Sequence, residues 1–208
     1  MDTLKEHHPV TIAVSGIIGA GKSTLSNELG KLLQVDVYDE PVKTNPYLDL
    51  FYEDMKTHAF AMQVFFLTQR YKQQQQITWS GKDAVIYRCI FEDTIFASLL
   101  HKQELLRDLN FKTYLELFET FQHSIKLPDV VVYLRVDPKI AMERVKKRAR
   151  ACESGLTMEY LTELSEAYDE WAKEMEQYTK VLYLDWNTFQ DPKMIALAVR
   201  KLLAGDHD

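Results

Sequence analysis

The stretch Gly16-Ile17-Ile18-Gly19-Ala20-Gly21-Lys22-Ser23 fits the pattern G-x-x-x-x-G-K-[ST], the P-loop. Both flanks suit it: an apolar, β-rich run from Thr11 to Ser15 leads in, and Thr24 to Leu33 leaves with helical spacing. Glycines let consecutive backbone N–H groups turn inward on phosphate oxygens, and the following helix presents its positive N-terminal end. In such a loop Lys22 reaches the β- and γ-phosphates and the Ser23 hydroxyl ligates Mg2+. The element therefore commits this part of the chain to strand, turn and helix, and it predicts a bound nucleoside triphosphate with magnesium. The predicted nucleotide-binding set is Gly16, Gly19, Ala20, Gly21, Lys22, Ser23 and Thr24, with Ser23 as the metal ligand. It does not say which group accepts the phosphoryl.

The rest of the chain alternates strand-like and helix-like runs. Val35 to Tyr38 reads as a short strand halted by Pro41, which leaves Asp39 and Glu40 at its carboxyl end. Tyr47 to Met55 is a short helix or an irregular segment, and Thr57 to Gln76 is a long helix with Phe60, Gln63, Val64, Leu67, Arg70 and Tyr71 on one face. Ala84 to Tyr87 is a third strand, followed by helices over about 91–101 and 109–124. Asp129 to Arg135 is the fourth strand, and Asp137-Pro138 supplies an N-cap and a first helical residue for the next helix. A helix over about 157–178, a strand from Lys180 to Asp185 and a helix from Pro192 to Leu203 complete the series. Such alternation predicts an α/β, three-layer domain around a mostly parallel sheet, spanning residues 1–208 as one unit.

Composition excludes several classes. A formal charge of −6 argues against wrapping nucleic acid, which needs a broad basic surface. No apolar run approaches the ~20 residues that span a bilayer. Cys89 and Cys152 match neither a metal spacing nor a disulfide framework, which fits a reducing compartment. Met1 to Pro9 reads as a short disordered lead without a targeting pattern. The expectation is a soluble, cytoplasmic protein. The run Gln73 to Gln76 reads as the polar end of a helix.

Three groups of residues carry candidate chemistry. Glu40, at the end of the second strand, is placed to accept a proton from an attacking hydroxyl, as a general base must. The same carboxylate repels an acceptor that already bears a phosphate, whereas an uncharged nucleoside hydroxyl escapes that repulsion. Gln63 and Arg70, seven residues apart, share a helix face; a glutamine amide suits the edge of a nucleobase, and an arginine on an apolar stripe calls for a partner or ligand. The cluster Arg144, Lys146, Lys147, Arg148 and Arg150 brings guanidinium groups that can neutralise a transferring phosphoryl group.

Taken together, these residues resemble the deoxyribonucleoside kinase family over nearly the whole chain. The likeness rests on the P-loop, Glu40-Pro41-Val42, the run from Asn45-Pro46-Tyr47-Leu48-Asp49 to Tyr52, Gln63 to Arg70, Arg88 with Asp93 and Phe96-Ala97, and Arg148-Ala149-Arg150 to Glu153 before Tyr160-Leu161. The resemblance implies a P-loop fold with five parallel strands in the order 2-3-1-4-5, usually a homodimer through a helical interface. It implies that Glu40 contacts the 5′-hydroxyl as base, with Arg88 beside it and the phosphoryl group. Tyr52 and Glu153 would hold the sugar 3′-hydroxyl, and Gln63 would pair with the base edge. Arg70 with Asp93 would line the base pocket, Phe96 would stack near it, and Arg144, Arg148 and Arg150 would form a lid, at about 144–156, over ATP. The implied activity is transfer of the γ-phosphoryl group to the 5′-hydroxyl of a deoxyribonucleoside. The charged Arg70/Asp93 pocket favours deoxyadenosine, then deoxycytidine or deoxyguanosine.

One departure stands out: the family's acid before the arginine is replaced, giving Tyr87-Arg88-Cys89. A tyrosine is a poor base at neutral pH, with an ordinary pKa of ~10, so more falls on Glu40. Two alternatives remain, a nucleoside monophosphate kinase and a nucleotide-binding subunit of weakened catalysis. Asp39-Glu40 speaks against the first on charge grounds, and Tyr87 is the feature that favours the second.

Overall fold

Five short runs of aliphatic and aromatic residues form one sheet: β1 (Thr11–Ser15), β2 (Asp36–Tyr38), β3 (Ala84–Tyr87), β4 (Val130–Arg135) and β5 (Lys180–Asp185). All strands pair in parallel, in the order β2-β3-β1-β4-β5. The computed structural model describes residues 9–39, 45–148 and 155–205. Glu40, Pro41, Val42, Arg150, Cys152 and Glu153 lie outside the described residues.

The three central strands are covered on both faces, which is why β1, β3 and β4 read as near-continuous apolar runs. Register aligns their carboxyl ends: Val14 pairs with Tyr87, and Ser15 with Tyr133. The P-loop leaving β1 and the chain leaving β3 therefore emerge side by side, at the edge where parallel sheets receive ligands.

Helices pack on both sides: α1 (Lys22–Leu33), α2 (Leu48–Glu53), α3 (Met55–Ser80), α4 (Asp93–Lys102), α5 (Asp108–Gln122), α6 (Pro138–Arg148), α7 (Met158–Met175) and α8 (Pro192–Ala204). None of the described helices is long and apolar enough to cross a membrane. Their ends follow local chemistry. Asp191 caps α8 by accepting from the Lys193 N–H at 2.9 Å, with Pro192 in the first turn. Thr157 caps α7 through the Tyr160 N–H at 3.1 Å. Helix α3 runs a turn beyond the glutamine run, because nothing breaks it before Gly81, whose φ of 64° ends it in the left-handed region. The glutamine run is therefore not the end of the helix, and Gln74 within it and Ile77 just after it are buried. The helix expected over 91–101 is also modified. Its first turn is a 3-10 turn, Ile90–Glu92, and the α-helix starts at Asp93.

Buried apolar side chains form two clusters. One surrounds the sheet, and the other, including Phe51, Met62, Leu67, Leu100 and Tyr114, joins α2 to α5. Helix α3 contributes to both, through Ile77 and Leu67. The cavity described next lies where the second cluster meets the carboxyl edge of the sheet.

Candidate active site

The nucleotide loop has the backbone its sequence calls for. Gly16, Gly19 and Gly21 all take positive φ, at 143°, 83° and 91°. At Gly19 a Cβ would come within 2.4 Å of the Ala141 carbonyl oxygen in α6, so helix and loop can pack this closely only over a glycine. Lys22 is buried, and its Nζ donates to the Gly16 and Ile17 carbonyls at 2.7 and 2.6 Å. Ser23 is half-buried in the first turn of α1, and among the described residues its hydroxyl has no hydrogen-bond partner. Ala20 is fully buried, and Thr24, one residue beyond Ser23, is exposed.

Opposite the loop is a cavity of about 310 Å3 whose wall carries Tyr52, Gln63, Arg70, Arg88, Phe96 and Arg148, with Gly19 at the loop end. Six residues from five separate stretches thus meet, as expected of a shared site. Gln63 and Arg70 are both 5% exposed, so the α3 stripe does turn these two polar side chains inward. Arg70 Nη1 donates to Asp93 Oδ1 at 2.5 Å, and its guanidinium stacks 5.2 Å from the centre of the Phe66 ring. Asp93 stands behind Arg70 and not on the cavity wall, with 1% exposure. Burial pushes its carboxyl up to about 6, against the opposing pull of Arg70.

Arg88 enters by an unusual route. Its φ is 69°, a left-handed conformation that costs a non-glycine residue on the order of 1–3 kcal/mol. The turn swings the side chain across β1: Nη2 donates to the Gly16 carbonyl at 3.4 Å, and Cζ lies 4.5 Å from the centre of the Phe96 ring. Its backbone N–H still donates to Val14 at 3.2 Å, which extends the β1–β3 pairing by one residue. Tyr87, which replaces the expected acid, faces the cavity with its ring centre 5.3 Å from Lys22 Nζ.

The basic cluster divides. Arg148 is exposed and lines the cavity. Arg144, expected in the lid, is instead tied to three backbone carbonyls: Ala20 in the loop at 3.3 Å, and Trp186 and Asn187 after β5 at 2.8 and 2.9 Å. Its guanidinium also lies 4.3 Å from the Phe189 ring centre. Arg144 is thus a strut that fixes the nucleotide loop against the turn between β5 and α8. Carbonyl acceptors in distant loops leave no trace in helix spacing, so the sequence offered no sign of this.

Sequence reasoning also missed Glu92. It is fully buried, and its Oε1 accepts from the Ser15 hydroxyl at 2.8 Å and the Cys89 N–H at 2.9 Å. Its Oε2 accepts from the Tyr168 hydroxyl of α7 and lies 3.5 Å from Arg88 Nε. Burial raises its pKa, while Arg88, Tyr168, Lys22 and Ser15 pull it back. The i, i+4 spacing from Arg88 was the available signal.

A glycine loop between a parallel strand and a helix, facing an arginine-bearing pocket across the carboxyl edge of the sheet, defines the class of P-loop phosphotransferases. Comparison with known proteins narrows this. A family model described as deoxynucleoside kinase matches residues 12–200. A deoxyadenosine kinase of Dictyostelium discoideum is 40% identical over 189 residues, covering 91% of this chain and 77% of that one. A deoxyadenosine/deoxycytidine kinase of Bacillus subtilis (strain 168) is 33% identical over 217 residues, covering 99% and 98%. Among solved structures, deoxyadenosine kinase from M. mycoides with bound dATP superposes with a TM-score of 0.80 at 33% identity, covering 93% of this chain and 98% of that one. The chain belongs to the deoxynucleoside kinase family.

Proposed function

We propose that this protein transfers the γ-phosphoryl group of ATP to the 5′-hydroxyl of a deoxyribonucleoside, deoxyadenosine foremost, followed by deoxycytidine or deoxyguanosine. The observation that carries this is the cavity itself. One end presents the buried Gln63 and Arg70, and the other meets Gly19 and Arg88 at the nucleotide loop. Its volume of about 310 Å3 is that of a small-molecule pocket. The relatives named deoxyadenosine kinase and the neighbour with bound dATP support the choice of substrate.

In this reading Gln63 offers the base edge an acceptor and donors, an arrangement that adenine can match in a bidentate way. Arg70, steadied by Asp93 at 2.5 Å, lies beside it, and Phe96 supplies an aromatic face. Tyr52 and Glu153 hold the sugar 3′-hydroxyl. Glu40 takes the proton from the 5′-hydroxyl, and Arg88 and Arg148, with Arg150, meet the negative charge of the transferring group. The wall's buried cations are matched by acids, Arg70 by Asp93 and Arg88 by Glu92, which suits an uncharged acceptor better than a phosphorylated one.

The Ser23 hydroxyl, half-buried in the first turn of α1, is a hard oxygen donor that fits magnesium. Bound there with the phosphates, the ion would neutralise charge on the β- and γ-oxygens.

We also infer a single kinase domain in which the expected 144–156 lid begins beyond the Arg144 strut, working as a homodimer in the cytoplasm. The half-buried aromatic residues along α3 and α5, such as Phe60, Tyr71, Phe118 and Phe121, support the dimer, and the buried free thiol of Cys89 suits a reducing compartment. Light scattering giving the mass of one chain would overturn the dimer. Incubation with magnesium-ATP and a panel of deoxynucleosides is expected to yield monophosphates, with deoxyadenosine turned over best. No product above background with any member of the panel would overturn the proposed activity.

A further inference from the structure

Glu92 lies where three parts of the fold meet. Ser15 reaches it from the end of β1, Cys89 and Arg88 from the chain leaving β3, and Tyr168 from α7. Lys22 of α1 and Asp93, the next residue, are the other charged groups that act on it. A fully buried carboxylate carries a heavy desolvation penalty, and it persists only where fixed donors surround it. Here three hydrogen bonds and an ion pair do so. The position of the Arg88 guanidinium, 3.4 Å from the Gly16 carbonyl, follows from the left-handed turn at Arg88 and from this anchor at its Nε.

We propose that Glu92 is a positioning residue: its carboxylate holds the Arg88 guanidinium beside the nucleotide loop and locks that placement to β1 and α7. The proposal rests on the reading of Arg88 as a group that acts on the transferring phosphoryl. An amide takes away the negative charge that Arg88 Nε faces at 3.5 Å; with its oxygen kept toward the Cys89 N–H, its NH2 points toward that guanidinium instead.

The test is a double-mutant cycle on the full-length protein, with Glu92→Gln, Arg88→Ala and both together, assayed with magnesium-ATP and deoxyadenosine. Glu92→Gln is expected to lower kcat on the order of 10²-fold, the scale of a small misplacement of a group that acts in the transition state, with KM for the nucleoside little changed. In the Arg88→Ala background the same change is expected to alter kcat by less than about threefold, because the group it positions is gone. Equal fold losses in the two backgrounds, or an effect confined to KM, would overturn the proposal. If circular dichroism shows Glu92→Gln unfolded, Tyr168→Phe replaces it in the cycle. That variant keeps the carboxylate and removes one donor, so a smaller kcat loss is expected, again only when Arg88 is present; equal losses would overturn the proposal as well. Inactivity of the wild-type protein toward every deoxynucleoside is a separate failure, that of the proposed activity.

Discussion

Replacing Asp93 by alanine tests the buried ion pair that shapes the base end of the cavity. Arg70 and Asp93 are 5% and 1% exposed and 2.5 Å apart, so removing the carboxylate leaves a buried guanidinium without this counter-charge. Breaking such a pair from one side costs about 3–5 kcal/mol, whereas exchanging both members for apolar residues is often neutral. The expected outcome in urea unfolding at pH 7.5 is a loss of that size for Asp93→Ala, with m unchanged. Most of the loss should return in Arg70→Met/Asp93→Ala. The pair also has a pH signature. Burial raises the Asp93 carboxyl from 3.8 to about 6 in the folded protein. Below 3.8 both states hold the proton; between 3.8 and about 6 the unfolded chain releases it while the folded protein keeps it. Stability relative to Asp93→Asn therefore falls as pH rises through that window, by up to about 1.4 kcal/mol per pH unit, and levels off above it. Simple additivity of the two substitutions, or a stability difference from Asp93→Asn that rises with pH over the same window, would refute the reasoning.

Gly19→Ala places a Cβ 2.4 Å from the Ala141 carbonyl at a φ of 83°, so nucleotide binding measured by titration calorimetry should be lost or fall sharply, together with the melting temperature. Gln63→Leu removes the polar group expected at the base edge; kcat/KM for deoxyadenosine should drop by about 10- to 100-fold, the effect of ~1–3 kcal/mol of unmade hydrogen bonding, while KM for ATP stays nearly constant. Tyr87→Asp introduces an acid close to Lys22 and decides what tyrosine does there: an unchanged or lower kcat marks Tyr87 as part of a working site, and a large gain marks the natural protein as weakened.

Helix and strand boundaries were legible wherever a local signal fixed them. Pro192 and Asp191 mark the start of α8, and the apolar run of β3 and that of β5, bounded by Lys180 and Asp185, match the observed strands end to end. Boundaries shifted where the signal was one of polarity, as at the glutamine run inside α3, because tertiary burial of Gln74 and Ile77 overrides a polar composition. Within the site, Gln63 and Arg70 could be placed on one face of a helix from their spacing. The tie of Arg144 to the Ala20, Trp186 and Asn187 carbonyls could not, since backbone acceptors carry no residue signature.

The amino-acid order alone determined the nucleotide loop, the alternation of strand and helix, and which side chains of α3 share a face, because each is set by geometry within a few residues. Family resemblance supplied the strand order. It also put Arg70 with Asp93, whereas only the tertiary structure decided what the buried Glu92 carboxylate meets: the Ser15 hydroxyl across 77 residues and the Tyr168 hydroxyl across 76. Such pairings depend on how whole elements pack against the sheet, and desolvation then leaves each buried charge stable only beside the partner that packing brings to it.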